Sequence, residues 1–168
     1  DVDDSDNSKL IVKKLINKIQ SMGISRDYIN IVDSANKGFH IFLFFDTIQV
    51  YQSEAQTFYK YVIQECGIST TQAEYRATSG QAVKLPLSFH RKTGKISYFV
   101  DDNLNPIKDN THILSIKQFD TFYFKEIVAS IKTDKKLDRM NMSKRSDFYR
   151  NLLDKITMSE AVNIENVG

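Results

Sequence analysis

Cysteine is all but missing from this chain: of 168 residues, only Cys66 carries a thiol. One cysteine excludes an internal disulfide framework. Because His40, His90 and His112 also lack companions at ligand spacing, a structural Cys/His zinc site is excluded as well. Cys66 falls in an apolar-periodic stretch, the setting of a buried, inert thiol rather than a nucleophile, and a reducing compartment is expected. Strong net charge is absent too. Lys+Arg 23 against Asp+Glu 21 leaves +2, too little to indicate nucleic acid by itself. No stretch is long and apolar enough to span a bilayer, no signal peptide is visible, and neither repeats nor low-complexity tracts occur.

What is present is a core-forming composition with unevenly placed charge. At 41% hydrophobic the chain can bury a core as a single domain. The acids crowd the first six residues, while bases gather over 84–95 and 132–150. That placement allows a local positive surface despite near neutrality.

Periodicity predicts an α+β order. Leu10, Ile11, Lys14, Leu15, Lys18 and Ile19 recur at helical spacing, with Asn7 or Ser8 as a cap and Gly23 as a stop. Residues 28–32 and 39–45 read as strands joined by a polar turn through 35–38. A second helix over 53–66 opens with a capping-box pair, Ser53 and Gln56, buries Phe58, Val62 and Tyr61, and closes at Gly67. Strand signals return at 73–78, 82–87 and 96–100. Beyond them lie a loop over 101–110, a helix over 117–131 with the aromatic stripe Phe119, Phe122, Tyr123 and Phe124, and a basic amphipathic helix over 143–156. The stripe reads as packing rather than a ligand platform. The expected architecture is one mixed or antiparallel sheet layered against helices, and the abrupt opening on Asp1-Val2-Asp3 leads us to expect a strand upstream of this sequence.

Three clusters carry chemistry. Alternation along a strand sends Asp1 and Asp3 to one face, about 6 to 7 Å apart, within reach of one metal ion or a metal pair. The alternative is a solvated acidic terminus, which Asp4 and Asp6 prolong. In the second cluster, Ser34-Ala35-Asn36-Lys37-Gly38-Phe39-His40, Ser34 and Lys37 can face a phosphate and Gly38 permits a close approach of backbone to ligand. His40, sharing a face with Phe42 and Phe44, either closes the sheet or ligates phosphate at its rim. The third cluster runs from Lys84 through Pro86, Ser88, His90 and Arg91 to Gly94. A cation at Lys84 in apolar company calls for an anion, either Glu74 or a bound triphosphate. His90 and Arg91 then grip phosphates, or the turn at 91–94 simply displays solvated bases.

In this order and spacing the clusters resemble the archaeo-eukaryotic primase superfamily. Its first motif is acid-hydrophobic-acid, as in Asp1-Val2-Asp3. Its second, often Ser-Gly-x-x-Gly-x-His, is matched by Ser34 to His40 with Ala35 in place of the first glycine. Its third places an acid in Asp-x-x-Val-Thr, resembled by Glu74-Tyr75-Arg76-Ala77-Thr78. A strand near Arg-Leu-Pro-Gly-Ser-Leu-His follows, closely matched by Lys84 to His90. The resemblance covers roughly residues 1–104 and implies a primase-polymerase catalytic core there, with 105–168 as a largely helical extension.

It further implies a DNA primase or primase-polymerase making strands from nucleoside triphosphates on single-stranded DNA by two-metal catalysis. On that resemblance Asp1, Asp3 and Glu74 hold Mg²⁺ or Mn²⁺ and, with His40, form the catalytic set. Ser34, Lys37, His40, Lys84, Ser88, His90 and Arg91 bind the nucleotide, and Lys92 and Lys95 follow the template backbone. A helicase or accessory primase domain is the implied partner, with no membrane, in the cytoplasm or nucleoid of a cell or mobile element. Two alternatives stay open: a catalytically weak nucleic-acid-binding replication-initiation domain of the same fold, and a metal nuclease or repair polymerase.

Overall fold

The computed structural model describes residues 1–3, 7–78 and 80–135. The chain divides into two compact units, Asp1–Val128 and Ala129–Gly168. Asp4, Asp6 and the helix expected over 143–156 lie outside the described residues.

The first unit is α+β. Helix α1, Ser8–Ser21, buries Ile11, Val12, Leu15, Ile16 and Ile19, a stripe at helical spacing that sets one face against the sheet layer. Leu10, expected on that face, is exposed: it sits one position off the stripe. Gly23 takes φ +94° just past the helix end, where a left-handed residue stops a helix at least cost. Strands β1, Ile29–Asp33, and β2, Phe39–Leu43, pair antiparallel with Asp33 opposite Phe39 and Ile29 opposite Leu43. Helix α2, Gln52–Glu65, buries Phe58, Val62 and Ile63. It begins a residue earlier than periodicity indicates, which puts Ser53 inside the first turn. The Glu54 carboxylate accepts the Tyr51 N–H at 2.9 Å, so Glu54 performs the capping expected of Ser53 and Gln56. Cys66 beyond it is half-buried. Its thiol donates to the Lys14 carbonyl at 3.6 Å and its pKa is raised by burial, in keeping with an inert role.

The remaining strand signals become single rungs rather than strands. Val2 bridges Phe39 on one side and Ala73 on the other, Val32 bridges Phe99, Phe89 bridges Ile96, and Val100 bridges Pro106. Residues 82–87 pair with nothing as a strand. Proline at 86 and the left-handed φ of +61° at Leu87 break the extended run. β1 and β2 are thus the regular centre of a row of short extended segments, with Val2 between β2 and Ala73.

Helix α3 begins at residue 121, four residues later than the pattern indicates, and residues 121–135 are helical. Asp120 stops the extension backwards, its carboxylate accepting the Tyr123 N–H at 2.7 Å as an N-cap. The aromatic stripe is split by this start. Phe119 precedes the helix, pairs through the bridge to Phe45 and packs edge-on to Tyr28. Phe124, 1% exposed, sits between Phe45 and Phe58 at 4.8 and 5.2 Å between ring centroids, while Phe122 points to solvent. Among the described residues no helix is long and apolar enough to cross a membrane.

Candidate active site

The acids are brought together by strand pairing. Asp1 and Glu74 exchange both backbone hydrogen bonds, Asp1 N to Glu74 O at 2.9 Å and Glu74 N to Asp1 O at 2.7 Å. They therefore stand directly opposite with side chains on one face. On the other side Val2 and Phe39 exchange bonds of 2.7 and 3.0 Å, which puts His40 next to Asp1 on the same face. Val2, Phe39 and Ala73 point the other way and are buried. Alternation thus sorts the segment: apolar residues go into the core and Asp1, Asp3, Glu74 and His40 go towards the site.

Gly38 makes this crossing physically possible. A Cβ there would lie 1.7 Å from the Val2 carbonyl oxygen, so only glycine lets β2 start against the acid-bearing backbone. The close approach expected at Gly38 is thus made by the chain itself. Ala35 and Leu87, which stand where the resembling motifs carry glycine, adopt φ of +59° and +61°. The backbone keeps the left-handed turn at both places, at about 1 to 2 kcal/mol each. Ser34 shapes the turn that contains Ala35: its buried hydroxyl oxygen accepts the N–H groups of Asn36, Lys37 and Gly38 at 3.3, 3.2 and 3.0 Å.

A cleft of about 530 Å³ reaches both this face and the apolar face that carries Val2, Leu43 and Ala73, within the size range of small-molecule sites. It is lined by Asp1, Asp3, Ser34, Asn36, His40, Glu74, Arg76, Lys84 and His90, together with apolar side chains that include Leu43, Phe45 and Phe58. Lys84 donates to the Ser34 carbonyl at 3.1 Å, and burial lowers its pKa against the pull of Asp33. It forms no ion pair with Glu74. Burial likewise pushes the His40 imidazole down to about 4, so it is neutral at physiological pH. The His90 Nδ1 accepts the Thr93 N–H at 3.2 Å. Lys37, Ser88, Arg91, Lys92 and Lys95 do not line the cleft: Ser88 donates to the Leu85 carbonyl at 2.6 Å, and Lys37, Arg91, Lys92 and Lys95 are exposed.

The sequence pattern passed over Arg76. Its Nε lies 3.0 Å from Asp1 Oδ2, and its Nη2 lies 2.8 Å from Glu74 Oε2 and 3.9 Å from Asp3 Oδ2. The signal that finds it is simple. In an extended segment Glu74 and Arg76 share a face, so an arginine two positions from a candidate acid meets whatever that acid meets.

A family model described as "TOTE conflict system, Archaeo-Eukaryotic Primase domain" matches residues 1–127. The chain belongs to the archaeo-eukaryotic primase family. No curated protein matches it. Domains of this family are nucleotidyltransferase-like and usually use divalent metal ions. The primase-family site offers the right donors for one, since carboxylate oxygens suit hard cations. One of them, Asp1 Oδ1, is buried with no hydrogen-bond partner; the His40 Nε2 comes within 3.2 Å of it without forming a hydrogen bond. Among the described residues no three His, Cys, Asp or Glu side chains stand close enough to hold a metal ion together. The three carboxylates meet instead on the Arg76 guanidinium.

Proposed function

We propose that this primase-family chain is a template-directed nucleotidyltransferase, a DNA primase or primase-polymerase that builds a strand from nucleoside triphosphates on single-stranded DNA. The observation that supports this reading is that Asp1, Asp3 and Glu74 all reach the Arg76 guanidinium, in a cleft shared with His40 and Lys84.

Asp1, Asp3 and Glu74 would hold Mg²⁺ or Mn²⁺. When bound, such an ion supplies a lowered pKa for the attacking hydroxyl and charge stabilisation for the leaving pyrophosphate. The chain's own part is binding and orientation. Lys84 brings positive charge to the triphosphate from the cleft wall, and His40, neutral because it is buried, offers a hydrogen bond without a charge. Ser34 holds the turn that presents both. His90 borders the cleft, while Lys37, Ser88 and Arg91 act from outside it. Lys92 and Lys95 are free to follow the template phosphates at an exposed turn, contacts that carry no sequence information. We take residues 1–104 as the catalytic core and 105–168 as its extension, with a helicase or accessory primase domain as partner.

One observation favours a second reading. Arg76 already neutralises part of the acid cluster, as expected of a catalytically weak nucleic-acid-binding domain of the same fold. Product analysis on a labelled single-stranded template separates the readings. New strands that vanish in Asp3→Ala, with the fold near native, support synthesis. An unchanged, bound template supports the binding domain, and a shortened template indicates a metal nuclease.

A further inference from the structure

Arg76 has a placement that simple support of the fold does not require. Its guanidinium reaches all three candidate acids at once, from 2.8 to 3.9 Å, yet its side chain is 38% exposed. It faces the cleft. Three carboxylates against one guanidinium leave the cluster net negative, so the arginine relieves their repulsion without cancelling their attraction for a further cation. It engages Asp1 through Oδ2, while Oδ1 of the same carboxylate is buried and accepts no hydrogen bond, with His40 Nε2 3.2 Å away.

We propose that Arg76 is the resident counter-cation of the acid cluster: it holds Asp1, Asp3 and Glu74 in register and competes with the divalent ion for their oxygens, thereby setting how much metal the site demands. This rests on the metal-dependent reading above. Arg76 is a positioning residue, acting through the acids. A guanidinium bound to the same oxygens must release them, at least in part, before they can close on an ion at about 2.0 to 2.2 Å. A cation tethered two residues from Glu74 is never diluted away, so the metal has to outbid it.

The test is Mn²⁺ binding without substrate, followed by the electron paramagnetic resonance signal of free Mn²⁺. Wild type, Arg76→Gln and Arg76→Lys are compared, and melting temperature in a chelator is measured alongside. Arg76→Gln is expected to bind Mn²⁺ about tenfold more tightly than wild type, because a unit charge a few ångströms from the ion is removed. It should melt a few degrees lower in chelator and recover when Mn²⁺ is added. Arg76→Lys keeps the charge but not the fork that spans three carboxylates, and should fall between the two. If Arg76→Gln fails to fold, Arg76→Lys decides alone: tighter binding than wild type supports competition, and equal or weaker binding overturns it. Equal or weaker binding by Arg76→Gln makes Arg76 mere scaffold and leaves the metal reading standing. Absence of Mn²⁺ binding in every variant removes both.

Discussion

The acid edge of the cleft and the basic hairpin outside it are built in different ways. Asp1, Glu74 and His40 stand on three neighbouring segments whose backbones hydrogen-bond across Val2, and the acids are further tied by Arg76. The bases Arg91, Lys92 and Lys95 ride on one local hairpin. Its arms are joined by Leu87 N to Ser97 O at 2.7 Å and His90 N to Lys95 O at 2.8 Å, and its tip is tied back where Thr93 Oγ1 donates to the Ala35 carbonyl at 2.8 Å. Among the described residues those three bases form no ion pair. The acid edge is pre-organised, which chemistry at a fixed point demands. The basic hairpin is left solvated and adjustable, which suits contact with a phosphate backbone.

The largest expected effect breaks the acid edge outright. Gly38→Ala drives a methyl group into the Val2 carbonyl, a contact with backbone on both sides that no rotamer change relieves. A loss upward of about 3 kcal/mol is expected, measurable by chemical denaturation, with Mn²⁺ binding lost as well. Stability within about 0.5 kcal/mol of wild type would mean that the two segments are not held this close.

A subtler experiment separates the regions by ligand. Lys84→Ala is expected to weaken nucleotide binding by about 1 to 3 kcal/mol with little change in template affinity. The double variant Lys92→Ala/Lys95→Ala should do the reverse, weakening all single-stranded templates alike and lowering the salt slope by roughly 1 to 2. Its stability should barely move. Parallel titrations with labelled nucleotide and labelled strand check this. If both ligands were lost equally in Lys84→Ala, together with a lower melting temperature, its bond to the Ser34 carbonyl would be its whole role.

The smallest effect concerns an acid held by neutral donors rather than by Arg76. Asp46 accepts the Thr121 N–H at 3.0 Å and its hydroxyl at 2.7 Å, and these hydrogen bonds hold its pKa below the ordinary 3.8. A depressed carboxylate contributes stability above its unfolded pKa and loses it as pH falls through the folded one. The stability difference between wild type and Asp46→Asn should therefore be constant above pH 5 and shrink below 3.8. A difference that stays flat to pH 2 would show that the Thr121 bonds do not discriminate between the ionised and protonated forms.

Much of this was legible in one dimension, and the reason is locality. The buried stripe of α1, the β1–β2 hairpin, α2 with its closing Gly67, and the same-face relation of Asp1 to Asp3 all follow from periods of 3.6 and 2 within a few residues. The spacing of Ser34, Gly38 and His40 is read in the same way. Errors fell where a single capping side chain or a missing distant partner overrides the local period. Asp120 starts α3 late and splits the aromatic stripe, and residues 82–87 find no strand to pair with.

By itself, then, the sequence determined which residues share a face and which segments could be extended or helical, because those are properties of adjacent backbone torsions. Only the tertiary structure decided that Val2 lies between Phe39 and Ala73 and that Gly38 must yield space to the Val2 backbone. It alone set Arg76 against Asp1 and Lys84 against the Ser34 carbonyl. Those outcomes depend on pairing across some 35 to 75 residues, where register is chosen by the joint burial of Val2, Phe39 and Ala73, and no local period records which segments will meet.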